Sequence, residues 1–128
     1  MKILCLDDSG LFRRTLRKQL QTLGIWDFKE CESAAQAASE LEVDPSISLV
    51  LADFHIASGT GLDLLQWIRA HQDTRIRTLP FMLVTGETDR GLVVAAAQHG
   101  IQGFLLKPLS ITALSTKLKQ VMGDAMPA

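Results

Sequence analysis

The sequence predicts a doubly wound α/β domain: one five-stranded parallel sheet with helices on both faces. Apolar runs of strand length alternate with helical patterns along all 128 residues, the pattern of parallel strands joined by crossover helices. Two of these runs stop at carboxylates, Ile3-Leu4-Cys5-Leu6 at Asp7 and Asp8, and Leu49-Val50-Leu51-Ala52 at Asp53, as buried strands aimed at one site do. With 47% hydrophobic residues the chain can build one sizeable core, and its length leaves no room for a second domain.

The first strand covers about Ile3 to Leu6, and a helix starts at Ser9 or Gly10. Its apolar positions Leu16, Leu20 and Leu23 share a face, and Gly24 is placed to end it in a left-handed cap. A weaker strand, Phe28 to Cys31, precedes an Ala-rich helix, Ala34 to Leu41. The Asp44-Pro45 turn leads into the strand that ends before Asp53. The loop Ile56 to Gly61, rich in small residues, is expected to be flexible. Leu62, Leu65 and Ile68 or Arg69 trace a third helix, and Pro80 opens a fourth strand, Phe81 to Val84, that stops at Thr85. A fourth helix runs from about Asp89 to His99 and ends before Gly100. The fifth strand, Gly103 to Leu106, stops at Lys107-Pro108, and Ser110 caps a last helix that reaches Met122. The domain is therefore expected over residues 1–122, with a frayed tail over 123–128. Trp26 and Trp67 are read as packing residues, and His71 and His99 as structural groups near helix ends.

If the strands that end at Asp7-Asp8 and at Asp53 are neighbours, three carboxylates crowd together. Like charges about 5 Å apart repel by roughly 3 kcal/mol per pair at an effective dielectric near 20. Such a cluster needs a counter-charge. A hard divalent cation such as Mg²⁺ suits it, because that ion takes oxygen ligands and combines a few carboxylates with water and phosphate oxygens. Taken alone, an acidic pair at a strand end is as readily a helix cap or a turn. The company of Asp53 makes it a candidate site, and Thr85 and Lys107 end strands at the same edge, where open parallel sheets bind ligands.

Composition narrows the function classes. Thirteen Lys and Arg against fourteen Asp and Glu give a net charge of −1, which argues against a nucleic-acid-binding module. The short apolar run before Asp7 resembles neither a signal peptide nor a membrane span, so no membrane role is indicated and a cytoplasmic location is expected. Cys5 and Cys31 have no CxxC or His spacing around them and are read as buried free thiols.

Five elements occur in order: Asp7-Asp8 after the first strand, Asp53 after the third, Gly61-Leu62-Asp63-Leu64-Leu65 opening the third helix, Thr85 after the fourth strand, and Lys107-Pro108 after the fifth. On these the chain resembles the receiver domain of bacterial response regulators, and most of all the stand-alone, CheY-like type of two-component signalling. The resemblance covers about residues 1–122. It implies a flavodoxin-like sheet in the order 2-1-3-4-5.

The resemblance also implies roles. Asp53 would be the phosphoacceptor, a carboxylate made into a covalent acceptor once phosphoryl charge is neutralised. Asp8 and Asp53 would ligate Mg²⁺ directly, Asp7 partly through water, and His55 through its backbone carbonyl. Lys107 and Thr85 would serve phosphate oxygens, the lysine aimed inward by a cis bond between it and Pro108. Thr85 and Phe104 would form the switch that alters the surface of helix four, strand five and helix five. His55 and Glu87 hold the positions where the family varies its dephosphorylation rate. The partners implied are a sensor histidine kinase or histidine phosphotransfer protein and a downstream protein target.

Other features are weighed beside these. The low charge of Leu92, Val93, Val94 and the alanines around them suggests an exposed apolar stripe on helix four. Arg13, Arg14, Arg17 and Lys18 crowd helix one, the element at which the family receives its phosphodonor, although a charge run is usually a solvated face. Where the family often has Pro four residues after the acceptor, this chain has Ala57. A rival from another class is a Mg²⁺-dependent phosphohydrolase with an Asp nucleophile. It needs a D-x-D pattern after the first strand, and the chain has Asp7-Asp8-Ser9. A third reading, an interaction domain that is never phosphorylated, is opposed by the intact set of Asp7, Asp8, Asp53, Thr85 and Lys107.

Overall fold

The structure, a computed structural model, describes residues 1–56, 59–86 and 90–127. Its main elements are β1 (Lys2–Leu6), α1 (Gly10–Thr22), β2 (Asp27–Cys31), α2 (Ala34–Val43), β3 (Ile47–Ala52), α3 (Gly61–Arg69), β4 (Phe81–Thr85), α4 (Arg90–Gln98), β5 (Gly103–Leu106) and α5 (Ile111–Met122). The strands pair in parallel in the spatial order β2-β1-β3-β4-β5. This is the fold expected from the alternating pattern, in the order implied by the resemblance.

Strand alternation divides the core into two layers, because successive side chains leave opposite faces of the sheet. Leu4, Leu6, Val50, Ala52, Phe81 and Leu83 pack with Leu41, Leu64, Leu65, Ile68 and Ala96, so α2, α3 and α4 cover one face. Their chain neighbours Ile3, Cys5, Leu49, Leu51, Met82 and Val84 pack with Leu16, Leu20, Leu114 and Leu118, so α1 and α5 cover the other. Both cysteines are free and buried, on opposite faces of the sheet. Burial chiefly pushes the Cys31 thiol up to about 11 and raises that of Cys5 further.

Helix starts follow their caps. Ser9, Ser33 and Ser110 each accept a backbone N–H from three residues on, at 3.2, 3.1 and 3.1 Å. Gly24 has φ +85°, the left-handed conformation expected of it, and Ile25 turns inward behind it while Trp26 turns out. Trp26 is 71% exposed and does not pack as expected, because its neighbour Ile25 takes the core position.

The loop read as flexible carries structure in its described part. His55–Ile56 pair antiparallel with Gly59–Thr60, and Thr60 and Asp63 form a reciprocal capping box at the start of α3. A four-residue helix, Thr74–Arg77, capped by Asp73, was not foreseen. After α5, Gly123–Ala125 form a 3₁₀ turn and Met126 packs against the α1/α5 layer. No helix among the described residues is long and apolar enough to cross a membrane.

Candidate functional site

Register places the site. Leu6 at the end of β1 pairs with Cys31 of β2 and with Ala52 of β3, so Asp7 and Asp53 leave the sheet side by side. The Asp7 N–H donates to the Cys31 carbonyl at 3.1 Å and the Asp53 N–H to the Leu6 carbonyl at 2.9 Å, which carries the ladder one step beyond the strands. Alternation carried the same step sends both side chains, and that of Lys107, toward the α1/α5 layer. Thr85 and Phe104 have the opposite parity. They face the α4 side, where Phe104 packs at the edge of the apolar layer as a half-buried residue.

Most polar groups at this edge are desolvated. Asp7 is 2% exposed, Asp53 9% and Thr85 1%, whereas Asp8 is exposed. Asp7, Asp8 and Asp53 each offer one carboxylate oxygen within 4.8 Å of the others. That donor set, all oxygen and anionic, is the kind a hard divalent cation takes, with room left for water or phosphate oxygens. Asp7 Oδ1 also accepts the Ser9 N–H at 2.8 Å, and Asp53 Oδ1 accepts the His55 N–H at 3.3 Å, so each carboxylate is aimed by its own loop.

Lys107 supplies the counter-charge. Its Nζ donates to Asp7 Oδ2 at 2.7 Å and to Asp53 Oδ2 at 2.9 Å. Burial alone would lower the lysine, but the hydrogen bonds and charges of Asp7 and Asp53 outweigh it and raise its pKa above the ordinary value. The Lys107 N–H donates to the Thr85 carbonyl at 2.9 Å, which ties the lysine to the end of β4, and the Lys107-Pro108 peptide is cis, as the resemblance implied.

Gly61 sets the position of Asp53 from the other side. Its N–H donates to the Phe54 carbonyl at 2.8 Å, and a Cβ built on it would stand 2.2 Å from the Asp53 carbonyl oxygen. Only glycine allows that approach between the start of α3 and the acidic edge.

Asp7, Asp8, Asp53, Thr85 and Lys107 thus come to one sheet edge, with Phe104 one strand away. His55 lies beside Asp53, exposed, its ring edge-on to Phe54 at 4.9 Å between centroids. Glu87 and Ala57 lie outside the described residues. On α4, Val94 is exposed and Ala96 buried, and the side chains of Leu92 and Val93 lie outside the description.

Two neighbours of the site were missed. Arg13, grouped with the solvated charges of α1, is instead largely buried: Nη1 donates to the Asp7 carbonyl at 2.5 Å, and the guanidinium pairs with Glu30 at 3.1 Å and Glu32 at 3.3 Å. Arg17 joins it on Glu30. The signal was present as Arg at i and i+4 on the helix, facing Glu30 and Glu32 near the end of β2. Phe12, whose ring stands 4.1 Å from Lys107 Nζ, had no comparable signal.

Comparison with known proteins agrees with this geometry. Residues 3–119 match the family model of the response regulator receiver domain. The chain is 31% identical over 123 residues to the chemotaxis protein CheY1 of Helicobacter pylori strain J99, covering 96% of this chain and 98% of that protein. It is 32% identical over 121 residues to the chemotaxis protein CheY of Pseudomonas aeruginosa, covering 94% and 95%. Among solved structures, a response regulator receiver protein from Pseudomonas putida superposes with TM-score 0.83 at 30% identity, over 92% of this chain and 94% of that one. The fold is also shared with the chemotaxis response regulator CheY4 of Vibrio cholerae, at TM-score 0.83 and 22% identity over 94% and 97% of the two chains.

Proposed function

The chain belongs to the response regulator receiver family, a signalling module rather than a catalytic enzyme, and on that premise we propose that it is a phosphoacceptor regulator whose acceptor is Asp53. The observation that supports this assignment most is the shared ammonium: Lys107 bonds both Asp53 and Asp7, whose carboxylate oxygens lie within 4.8 Å of one of Asp8. Among the described residues this is the cluster of three acidic groups close enough to hold an ion, and Asp53 is its member flanked by both Lys107 and Gly61.

In the proposed reaction a carboxylate oxygen of Asp53 attacks phosphorus of a phosphohistidine on a kinase or phosphotransfer protein. The new P–O bond forms as the P–N bond breaks, and the imidazole leaves with that electron pair. The carboxylate becomes an acyl phosphate and no net oxidation occurs. Asp7, Asp8, Asp53 and the His55 carbonyl would hold Mg²⁺, which when bound supplies positive charge to the transferring phosphoryl group. Lys107 has the reach to follow a phosphoryl oxygen on Asp53, since it already bonds that carboxylate. The Thr85 hydroxyl, on the α4 side, would take another oxygen.

That last contact connects site to surface. A Thr85 side chain drawn toward phosphate leaves space on the side where Phe104 sits, and the face of α4, β5 and α5 changes with it. The exposed Val94 and Leu106 belong to those elements and would read the change out to a downstream protein. His55, exposed beside Asp53, and Glu87 would set how readily water reaches the acyl phosphate. The chemotaxis names of the relatives support a role in chemotaxis signalling, and a cytoplasmic location belongs to the same proposal.

Intact mass after treatment with Mg²⁺ and acetyl phosphate tests the assignment. Wild type is expected to gain one phosphoryl group, mapped to Asp53, and Asp53→Asn none. A group found on another residue, or multiple turnover of the phosphodonor without a protein adduct, would refute it.

A further inference from the structure

Phe12 lies in the first turn of α1, where its backbone N–H donates to the capping Ser9 Oγ at 3.2 Å. Its ring faces Lys107, with Nζ 4.1 Å from the centroid, while the same Nζ stays within hydrogen-bond distance of Asp7 and Asp53. With Asp7, Leu16, Asp53 and Val84 the ring lines a gap too narrow to admit water. With Leu11, Gln19, Lys107, Pro108 and Leu109 it also borders an outer cavity of about 280 Å³. The ring and the partly exposed Lys107 side chain therefore meet between the buried carboxylates and an open groove.

A lysine ammonium is a compact charge on a flexible four-carbon stem, so hydrogen bonds to two carboxylates restrict its distance from each but leave the stem free to swing outward. An aromatic face beside the ammonium attracts it through the ring quadrupole, and more strongly where water is excluded. We infer that Phe12 is a positioning residue for Lys107, holding the ammonium against Asp7 and Asp53 so that it stands ready for the incoming phosphoryl group. This rests on the acceptor reading of Asp53 proposed above. The competing account is that Phe12 only fills apolar space over Leu16, against which it is partly buried.

The two accounts separate by substitution. Phe12→Leu keeps apolar bulk without a π face, and Phe12→Met does the same should the leucine variant fail to fold. Phe12→Tyr keeps the face. The rate of Asp53 phosphorylation by acetyl phosphate at fixed Mg²⁺ is expected to fall about three- to tenfold in Phe12→Leu and Phe12→Met and to stay within about twofold of wild type in Phe12→Tyr. In a Lys107→Ala background Phe12→Leu should have no further effect. The Lys107 ε-methylene protons should show an upfield ring-current shift in wild type and Phe12→Tyr that is lost in Phe12→Leu, a signature independent of phosphoryl chemistry.

Equal rates in wild type and both apolar variants overturn the inference, as does a Phe12→Leu loss that persists undiminished without Lys107. A wild type that takes no phosphoryl group at Asp53 overturns the acceptor reading and this inference with it. The ring-current comparison then still tells whether the contact exists in solution.

Discussion

Lysines stand at both ends of the sheet, and each meets carboxylates. At the amino end Lys2 Nζ donates to Asp44 Oδ2 at 2.5 Å, and Asp44 Oδ1 accepts the Ser46 N–H at 2.9 Å. One charge meets one charge, and the remaining lone pairs are used. At the carboxyl end one ammonium, Lys107, is shared by Asp7 and Asp53, and Asp8 brings a third carboxylate to the same cluster. The first arrangement is complete in itself, which is what a local structural pair requires. The second leaves two negative charges uncompensated at the place where register, burial and Gly61 converge. Such a deficit is one that a cation from outside the chain would make up, and that difference separates a tie from a site.

The largest expected effect breaks the comparison outright. Asp53→Asn should abolish phosphoryl incorporation while leaving the fold intact, since it removes one of three repelling charges. Asp44→Asn, which dissolves the other pair, should leave incorporation at the wild-type level. Phosphoprotein mass measured side by side decides it, and equal loss in both variants would mean that the carboxyl edge has no special standing.

Next in size come two glycines, one at each end. Gly61→Ala drives a methyl into the Asp53 carbonyl, a backbone atom that cannot yield, and should cost about 3 kcal/mol with a matching loss of phosphorylation. Gly24→Ala forces alanine to φ +85° and brings its Cβ to 3.2 Å from Pro127, for about 1–2 kcal/mol with phosphorylation unchanged in the folded fraction. Urea unfolding gives both costs. A Gly24 penalty as large as that of Gly61, or a folded Gly61→Ala protein that phosphorylates normally, would remove the distinction.

How much of this was legible beforehand follows from where each signal lives. Asp7, Asp53, Thr85 and Lys107 could be read because each follows an apolar run, and a strand that ends at a polar residue delivers it to the sheet edge whatever the packing. The two core layers follow from the period-two geometry of the strands rather than from the sequence pattern, since each run is apolar on both faces. Phe12 could not be assigned, nor the reach of Arg13 to the Asp7 carbonyl beyond its readable pairing with Glu30 and Glu32, because which residues of α1 lean over Lys107 and under Asp7 depends on how the helix sits on β1 and β5, and helical periodicity specifies only a face. Trp26 failed for a related reason. Apolar identity says a residue favours burial, yet the turn at Gly24 offers one inward position and Ile25 holds it. The capping box at Thr60 was within reach, since Thr60 precedes Asp63 by three residues, but the glycines around it suggested only flexibility.

A smaller effect sharpens the charge deficit. Mg²⁺ that binds the folded chain at ten times its dissociation constant should stabilise it by about 1.4 kcal/mol, on the order of 5 °C in melting temperature. Asp8→Asn should raise the melting temperature of the metal-free protein, by relieving repulsion, and abolish the Mg²⁺ shift. Lys107→Met should lower the metal-free melting temperature, because Asp7 and Asp53 lose the ammonium they share. A wild-type melting curve indifferent to Mg²⁺ would leave the acidic edge without the external charge it is argued to need.

The smallest effect belongs to the amino-end pair, and its pH dependence tests whether that pair is complete. Hydrogen bonds from Lys2 and Ser46 hold the Asp44 carboxyl well below its usual range, and the bond to Asp44 raises Lys2 above the ordinary lysine value against a small loss from burial. A depressed carboxyl contributes stability above its unfolded pKa of about 3.9 and loses it as pH falls through the folded value. A raised lysine contributes below its unfolded pKa of about 10.4 and loses it as pH rises through the folded one. Both contributions are therefore present between about pH 4 and pH 10, and the pair fades outside that window. Because both side chains are only partly buried and reach solvent, screening keeps the gain small, and Lys2→Met should lower the melting temperature by no more than about 2 °C at pH 7. The difference from wild type should be flat across the window, shrink below pH 4, and weaken in high salt. Melting curves of the two proteins at pH 3, 7 and 9 measure it, and a difference that grows toward acid would show that Lys2 acts through some group other than Asp44.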